Sequence, residues 1–216
     1  MLAESAFPKA HFNSSWRKIK MEYGFYAAVS RMKYIERWAL MRNSRPENLS
    51  EHSMEVAMLA HALCLIGNVR YGKKLNADRA AVIGLFHDAT EIITGDMPTP
   101  IKYYNEEIRA AFGEIEEEAG ERLLAKLPED LKESYREFFQ EQTKEEAYLR
   151  RLVKAADKLS ALIKCMEESK SGNGEFAIAG KTTEKAVKEM AQELPELGDF
   201  LRDFLPAYGK TLDELA

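Results

Sequence analysis

Cysteine is scarce in this chain: two residues, Cys64 and Cys165, in 216. Both fall inside apolar runs, where a thiol behaves as a small core side chain. A disulfide framework is therefore not expected, and a reducing compartment is. No stretch reaches the roughly 18 apolar residues of a membrane span. The first residues, MLAESAFPKAHFNSSWRKIK, lack the apolar centre of a signal peptide. The expectation is a cytoplasmic protein with no membrane partner. Positive charge is not in excess either, since 31 basic against 36 acidic residues leave a net charge of −5. A mildly acidic globule has no broad field for holding DNA or RNA, so polymeric nucleic acid is not an expected partner. A small anionic substrate remains admissible, because a metal ion and one or two arginines reverse the sign locally. Strand-type alternation, internal repeats and low-complexity tracts are all missing.

What is present is helical periodicity. With 45% hydrophobic residues the chain supports one sizeable core and not two comfortable domains. The expected fold class is all-α, in a single domain. Residues 1–20 read as an N-terminal extension, and 21–216 as the domain. The spacing of Phe25, Val29, Met32 and Leu40 predicts a helix over about 24–41. After a loop at 43–48, Ser50 is the expected N-cap of an apolar, central helix carrying His52. Asp78 is the expected cap of the next helix, which runs through His87 and Asp88 to Gly95. GDMPTPIKYY then reads as a loop. Helices follow at about 105–127, 129–140 and 144–170, the last carrying Asp157. SGNGEFAIAG reads as a Gly-rich loop before helices at about 182–193 and 197–205.

Histidine is also sparse, four in all, and two of them belong to a pattern. His52, the pair His87-Asp88, and Asp157 make a mixed nitrogen and oxygen set that suits a divalent transition metal. A His-Asp pair alone is common near helix ends, and a lone histidine at a helix start is more often a surface or capping residue. Asp157 is the stronger anomaly. It lies in LVKAADKLSALI among Leu152, Ala155, Ala156, Leu159 and Leu162, where a carboxylate is costly unless paired with a cation. Lys154 and Lys158 are the bland candidates for that pairing. His61, nine residues after His52, points about 180° away on the same helix and is not expected to be a ligand. His11 lies in the extension.

The segments RMKYIERWAL, SEHSMEVAMLAHAL, HDATEIITGDMPTPIK and VKAADKLSALI carry a resemblance. His…His-Asp…Asp on these segments resembles the HD-domain metal-dependent phosphohydrolases. Within them, Arg37-Trp38, SEHS and HD-x-x-E-x-x-x-x-D-M-P-T are similar to the bacterial 5′-deoxynucleotidase branch. The resemblance covers about residues 24–205. It implies the HD-domain helical fold and one divalent metal, such as Co²⁺ or Mn²⁺, held by His52, His87, Asp88 and Asp157. It also implies hydrolysis of deoxyribonucleoside 5′-monophosphates, and a homodimer.

For the matching residues the resemblance implies the following roles. Glu91, one turn after His87, is the general base that orients or deprotonates water. Arg37 supplies a permanently charged planar fork for the phosphate. Trp38 packs on the sugar and leaves no room for a 2′-hydroxyl. Asp96 and Thr99 receive the sugar and phosphate, with Asp96 facing the 3′-hydroxyl. His52, Asp88 and Asp157 touch substrate as well as metal, and Lys102 is a weaker candidate for the phosphate. Competing readings are a hydrolase of another phosphorylated small molecule, a non-catalytic nucleotide sensor, and a helical scaffold with fortuitous ligands.

Overall fold

The structure is a computed structural model that describes residues 22–102, 104–139 and 144–216, leaving aside the side chains of residues 99, 144 and 145. The expected extension at 1–20, with His11, lies outside the described residues. The architecture is all-α apart from one very short ladder. In chain order the elements are α1 (Phe25–Val29), β1 (Glu36–Arg37), β2 (Glu47–Asn48), α2 (Leu49–Tyr71), α3 (Ala77–Phe86), α4 (Glu91–Thr94), α5 (Thr99–Lys102) and α6 (Glu106–Leu124). Then come α7 (Glu129–Phe139), α8 (Lys144–Lys170), α9 (Ala177–Glu193), α10 (Pro195–Asp203) and α11 (Leu212–Leu215).

The expected helix at 24–41 is corrected. It is helical only to Val29, tightens into a 3-10 turn over Ser30–Tyr34, and then extends. Glu36 pairs with Asn48 and Arg37 with Glu47 in an antiparallel ladder, while the Leu49 N–H donates to the Ile35 carbonyl at 2.9 Å. Tertiary pairing with the stretch before α2 overrides the local helical spacing. Two caps also move. Asn48, not Ser50, caps α2, because its side chain accepts from the Ser50 and Glu51 N–H groups and Glu51 completes a capping box. Asn76, not Asp78, caps α3 by accepting from Arg79 N–H. The GDMPTPIKYY loop contains α5. The Gly-rich stretch at 171–180 is largely helical, because Asn173 caps a 3-10 turn that leads directly into α9.

Helix α2 has apolar residues all round and is central, as a helix without a polar face must be. Val56, Leu59, Ala60, Leu63 and Cys64 from α2 pack against Ala80 and Ile83 of α3 and against Leu152, Ala155, Ala156, Leu159 and Ile163 of α8. Each fully buried leucine or isoleucine in this core contributes about 1.5–3 kcal/mol. The α2–α3 contact depends on Gly84: a Cβ there would lie 2.9 Å from the Ala57 Cα. The second core joins α1, α6 and the turn after α3 through Phe25, Leu49, Ala89, Leu123 and Leu124. The start of α2, the end of α3 and the middle of α8 thus meet where the two cores adjoin. Among the described residues, no helix is long and apolar enough to cross a membrane.

Candidate metal centre and active site

His52 stands on the first turn of α2, fully buried. Asp157 stands mid-way along α8. The His-Asp pair differs from expectation, because α3 ends at Phe86 and residues 87–90 form a turn before α4. Ala89 N–H bonds the Phe86 carbonyl at 3.0 Å and Glu91 N–H bonds the Asp88 carbonyl at 3.0 Å. These three-residue bonds tighten the chain and swing Asp88 in toward α2 and α8. Asp88 Oδ2 lies 2.9 Å from His87 Nε2 and 3.5 Å from His52 Nε2, and Asp157 Oδ1 lies 3.3 Å from His52 Nε2. Ligand-type atoms of His52, His87 and Asp157 all fall within 4.8 Å of one another.

Two observations show that these residues fit a cation. Despite the nearby carboxylates, Nε2 of His52 and Nε2 of His87 are buried without a hydrogen bond of acceptable geometry. His87 Nδ1 donates to the Gly84 carbonyl at 2.7 Å, which turns the Nε2 lone pair toward the cluster. The electrostatics agree. Burial opposes charge on His87, but Asp88 and Asp157 outweigh it and push the imidazole up to about 9. Burial likewise opposes charge on Asp88 and Asp157, yet His87 and His52 hold Asp88 well below the usual carboxylate range. His52 and Lys158 do the same for Asp157. The cluster demands positive charge. Lys158 does stand 3.4 Å from Asp157 Oδ2, so one of the two expected lysine partners is present, on the carboxylate oxygen that does not face His52.

Glu91 opens α4 and is buried, with Oε2 lacking a partner. Burial first, then the charges of Asp88 and Asp96, push its carboxyl up to about 9. In the metal-free protein this carboxyl therefore holds its proton at neutrality, and a cation on the neighbouring set would draw it back toward a carboxylate able to accept one. Arg37 points into the site from β1. Its Nη1 donates to Glu47 Oε2 at 3.1 Å and lies 2.8 Å from His52 Nδ1, and its Nη2 lies 3.8 Å from Asp157 Oδ1. Trp38 is the one described non-glycine residue with positive φ, 57°. Its carbonyl accepts from Met41 N–H at 2.9 Å and from Asn43 Nδ2 at 3.2 Å, and its ring lies 5.4 Å from that of Phe176. A left-handed aromatic residue costs about 1–2 kcal/mol, which these contacts offset. Its indole Nε1 is buried without a partner.

Asp96 accepts from the Trp38 backbone N–H; burial raises its carboxyl and Arg37 partly opposes this. The Arg37-Trp38 corner and the DMPT stretch are therefore brought together. The backbone of Thr99 opens α5, but the Thr99 side chain lies outside the described residues. Lys102 Nζ donates to Glu116 Oε1 at 2.5 Å. His61 lies away from the centre, 3.8 Å from Asp78, as its spacing requires. A cavity of about 570 Å³ adjoins His87 and Asp157, walled by α6, α7 and α8, with Lys154 and Phe138 among its lining.

Sequence reasoning missed four supporting residues. Glu47 anchors Arg37 across the ladder. Glu168 of α8 accepts from Ser44 N–H at 2.8 Å and Lys164 Nζ at 2.5 Å, pinning the loop after Trp38. Ser160 Oγ donates to Glu55 Oε2 at 2.5 Å and lies 3.1 Å from His52 Nδ1. The available signal was spacing: Ser160 is three residues after Asp157, and Glu55 three after His52, so each shares a helix face with a ligand.

The profile of the family described as 5′-deoxynucleotidase YfbR-like matches residues 24–208. The chain is 45% identical over 196 residues to the 5′-deoxynucleotidase VV1113 of Vibrio vulnificus, covering 90% of this chain and 99% of the relative. It is 44% identical over 192 residues to a 5′-deoxynucleotidase of Erwinia tasmaniensis, covering 89% and 96%. Among solved structures it is similar to an HD-domain phosphohydrolase of Listeria innocua, with a TM-score of 0.73 at 23% identity over 85% of this chain and 87% of that one. It is also similar to the cyanophage S-2L HD phosphohydrolase DatZ, solved with dA and one catalytic Zn²⁺, with a TM-score of 0.60 at 23% identity over 86% and 96%. At that identity the two structures establish the HD-domain fold.

Proposed function

Because the chain belongs to the YfbR-like 5′-deoxynucleotidase family, we propose that it hydrolyses deoxyribonucleoside 5′-monophosphates to deoxynucleoside and phosphate at the centre formed by His52, His87, Asp88 and Asp157. The observation that carries the assignment of this site is convergence. Ligand-type atoms of His52, His87 and Asp157 fall within 4.8 Å of one another, Asp88 Oδ2 stands 2.9 Å from His87 Nε2, and Arg37 Nη2 lies 3.8 Å from Asp157 Oδ1.

One divalent transition metal on that set, such as Co²⁺ or Mn²⁺, supplies Lewis-acid polarisation of a phosphate oxygen and acidifies water. The residues around it do the rest. Glu91 orients the attacking water and receives its proton. Arg37 sets two N–H donors against the phosphate, and its Glu47 partner keeps the guanidinium in plane. His52, Asp88 and Asp157 line the same face and touch the phosphate as it docks. Trp38, fixed in its left-handed corner, presents its ring to C2′ of the sugar, where a 2′-hydroxyl would lose its solvation without gaining a partner. Asp96 accepts from the 3′-hydroxyl, and Thr99 is assigned to the same subsite by its match to the family motif.

We read residues 21–216 as one HD-domain unit after an extension at 1–20. The enzyme pairs with a second copy of itself. In support, Met54, Met58, Leu65 and Val69 lie exposed along one face of the central helix α2, and Leu85 of α3 is exposed as well. An exposed apolar stripe of this kind on a core helix supports that reading. The cytoplasm is the proposed compartment, supported by two free, buried cysteines.

The test is phosphate release from dAMP, dGMP, dCMP, dTMP and AMP after chelation and reloading with Co²⁺ or Mn²⁺. Release from the deoxynucleotides, weaker release from AMP, and none without metal is expected. Binding without release under every metal would make the chain a nucleotide sensor instead.

A further inference from the structure

Taking the metal reading of this centre as its premise, we infer that Ser160, backed by Glu55, is a positioning residue that holds His52 in the tautomer able to bind metal. The arrangement is two facing pairs. His52 and Glu55 are three residues apart on α2, and Asp157 and Ser160 are three apart on α8, so each helix presents both members to the other. Asp157 meets His52 at Nε2, 3.3 Å away, and Ser160 meets it at Nδ1, 3.1 Å away. Both His52 and Ser160 are fully buried, so water does not replace either contact.

A serine hydroxyl has one hydrogen, and here it goes to Glu55 Oε2 at 2.5 Å. What Ser160 Oγ turns toward His52 is therefore a lone pair, which accepts only from an Nδ1–H. A neutral imidazole carries one N–H, so placing it on Nδ1 leaves Nε2 as the ligand atom. Arg37 competes for the same nitrogen. Its Nη1 lies 2.8 Å from Nδ1, and a guanidinium only donates, so it favours the opposite tautomer, with the N–H on Nε2 aimed at the metal position. Ser160 and Arg37 pull the ring in opposite senses; Arg37 stands closer, but a cation at Nε2 would exclude the tautomer it favours, and the Glu55–Ser160 pair then supplies the acceptor that the Nδ1–H needs. His87 needs no such device, because the Gly84 backbone carbonyl performs the same task for its ring.

The test is Co²⁺ affinity of the metal-free protein, measured by chelator competition, with no turnover involved. Ser160→Ala should weaken binding about 10–100-fold. Ser160→Thr, which keeps the hydroxyl, should restore most of it. Arg37→Ala in the Ser160→Ala background should recover part of the loss, which a purely structural role for Ser160 would not produce. Independently of any variant, long-range ¹H–¹⁵N correlation on Zn²⁺-loaded wild type should show His52 protonated at Nδ1. Unchanged Co²⁺ affinity in Ser160→Ala, or His52 bound through Nδ1, overturns the inference while leaving the metal centre in place. Wild-type protein that takes up no Co²⁺ overturns both.

Discussion

The Glu91 backbone N–H donates to the Asp88 carbonyl at 3.0 Å, so the carboxylate assigned to proton transfer and the carboxylate assigned to metal share one tight turn. Their side chains are set by the same few backbone bonds, and each raises the cost of charge on the other. Metal binding and proton transfer are therefore separable by mutation only if the turn itself is left intact.

Glu91→Gln should do that. The amide keeps the size of the side chain and removes its proton-accepting ability. Metal content should be unchanged, and kcat for dAMP should fall about 10²–10⁴-fold, the usual contribution of a general base. Full kcat in the variant would remove Glu91 from this role.

Asp88→Ala and His87→Ala should behave differently, losing metal and activity together. Metal analysis after dialysis against a weak chelator reads the first, and phosphate release the second. Asp157→Ala should match them, because Asp157 lies 3.3 Å from His52 Nε2. Stoichiometric metal in Asp157→Ala would leave that residue as a buried partner of Lys158 alone.

Stability of the metal-free protein should fall with rising pH. Folding raises Glu91 from 4.5 to about 9 and His87 from 6.5 to about 9. Both groups bind more protons folded than unfolded, so their contribution is complete below the unfolded values and is lost as pH climbs toward about 9. Thermal unfolding with a chelator present should show Tm dropping between about pH 6.5 and 9, with a shallower drop in Glu91→Gln. Saturating metal, which requires charged carboxylates and neutral imidazoles, should oppose the trend. A Tm that rises over this window without metal would contradict the assignment.

Trp38→Ala should narrow the preference for dAMP over AMP by about tenfold, the scale of a lost shape contact at a sugar. The readout is the ratio of kcat/KM values. An equal ratio in variant and wild type would mean that the ring only packs on Phe176.

Met58→Glu on the exposed face of α2 should give a monomer in sedimentation velocity, with helicity retained. Wild type sedimenting as a monomer at tens of micromolar would exclude the proposed pairing.

The helical class, the central place of α2 and the long α8 were legible because their signals are long: apolar residues on every side of α2, and Asp157 set in an otherwise apolar helix. The ligand residues were legible as a type and order. What escaped was local. The Arg37-Trp38 corner reads as helix by spacing, yet Arg37 is held in a two-residue ladder by Glu47, and such a ladder has no period to detect. The break after Phe86 was invisible because HDAT contains no glycine or proline. The turn exists because three-residue backbone bonds and the Gly84 carbonyl favour it. Ser160 and Glu55 escaped because a serine and a glutamate on helices are ordinary until the two helices are seen to face each other.

Gly84 gives the fold a further consequence. The residue that lets α3 rest against the Ala57 backbone is also the one whose carbonyl receives His87 Nδ1–H. Helix spacing and imidazole aim are thus one mechanical variable. A single methyl group at this position would act as a shim, parting two helices and turning a metal ligand in the same movement. The reach between His52 and His87 is therefore gauged by an absent side chain, a full helical turn before the chemistry begins.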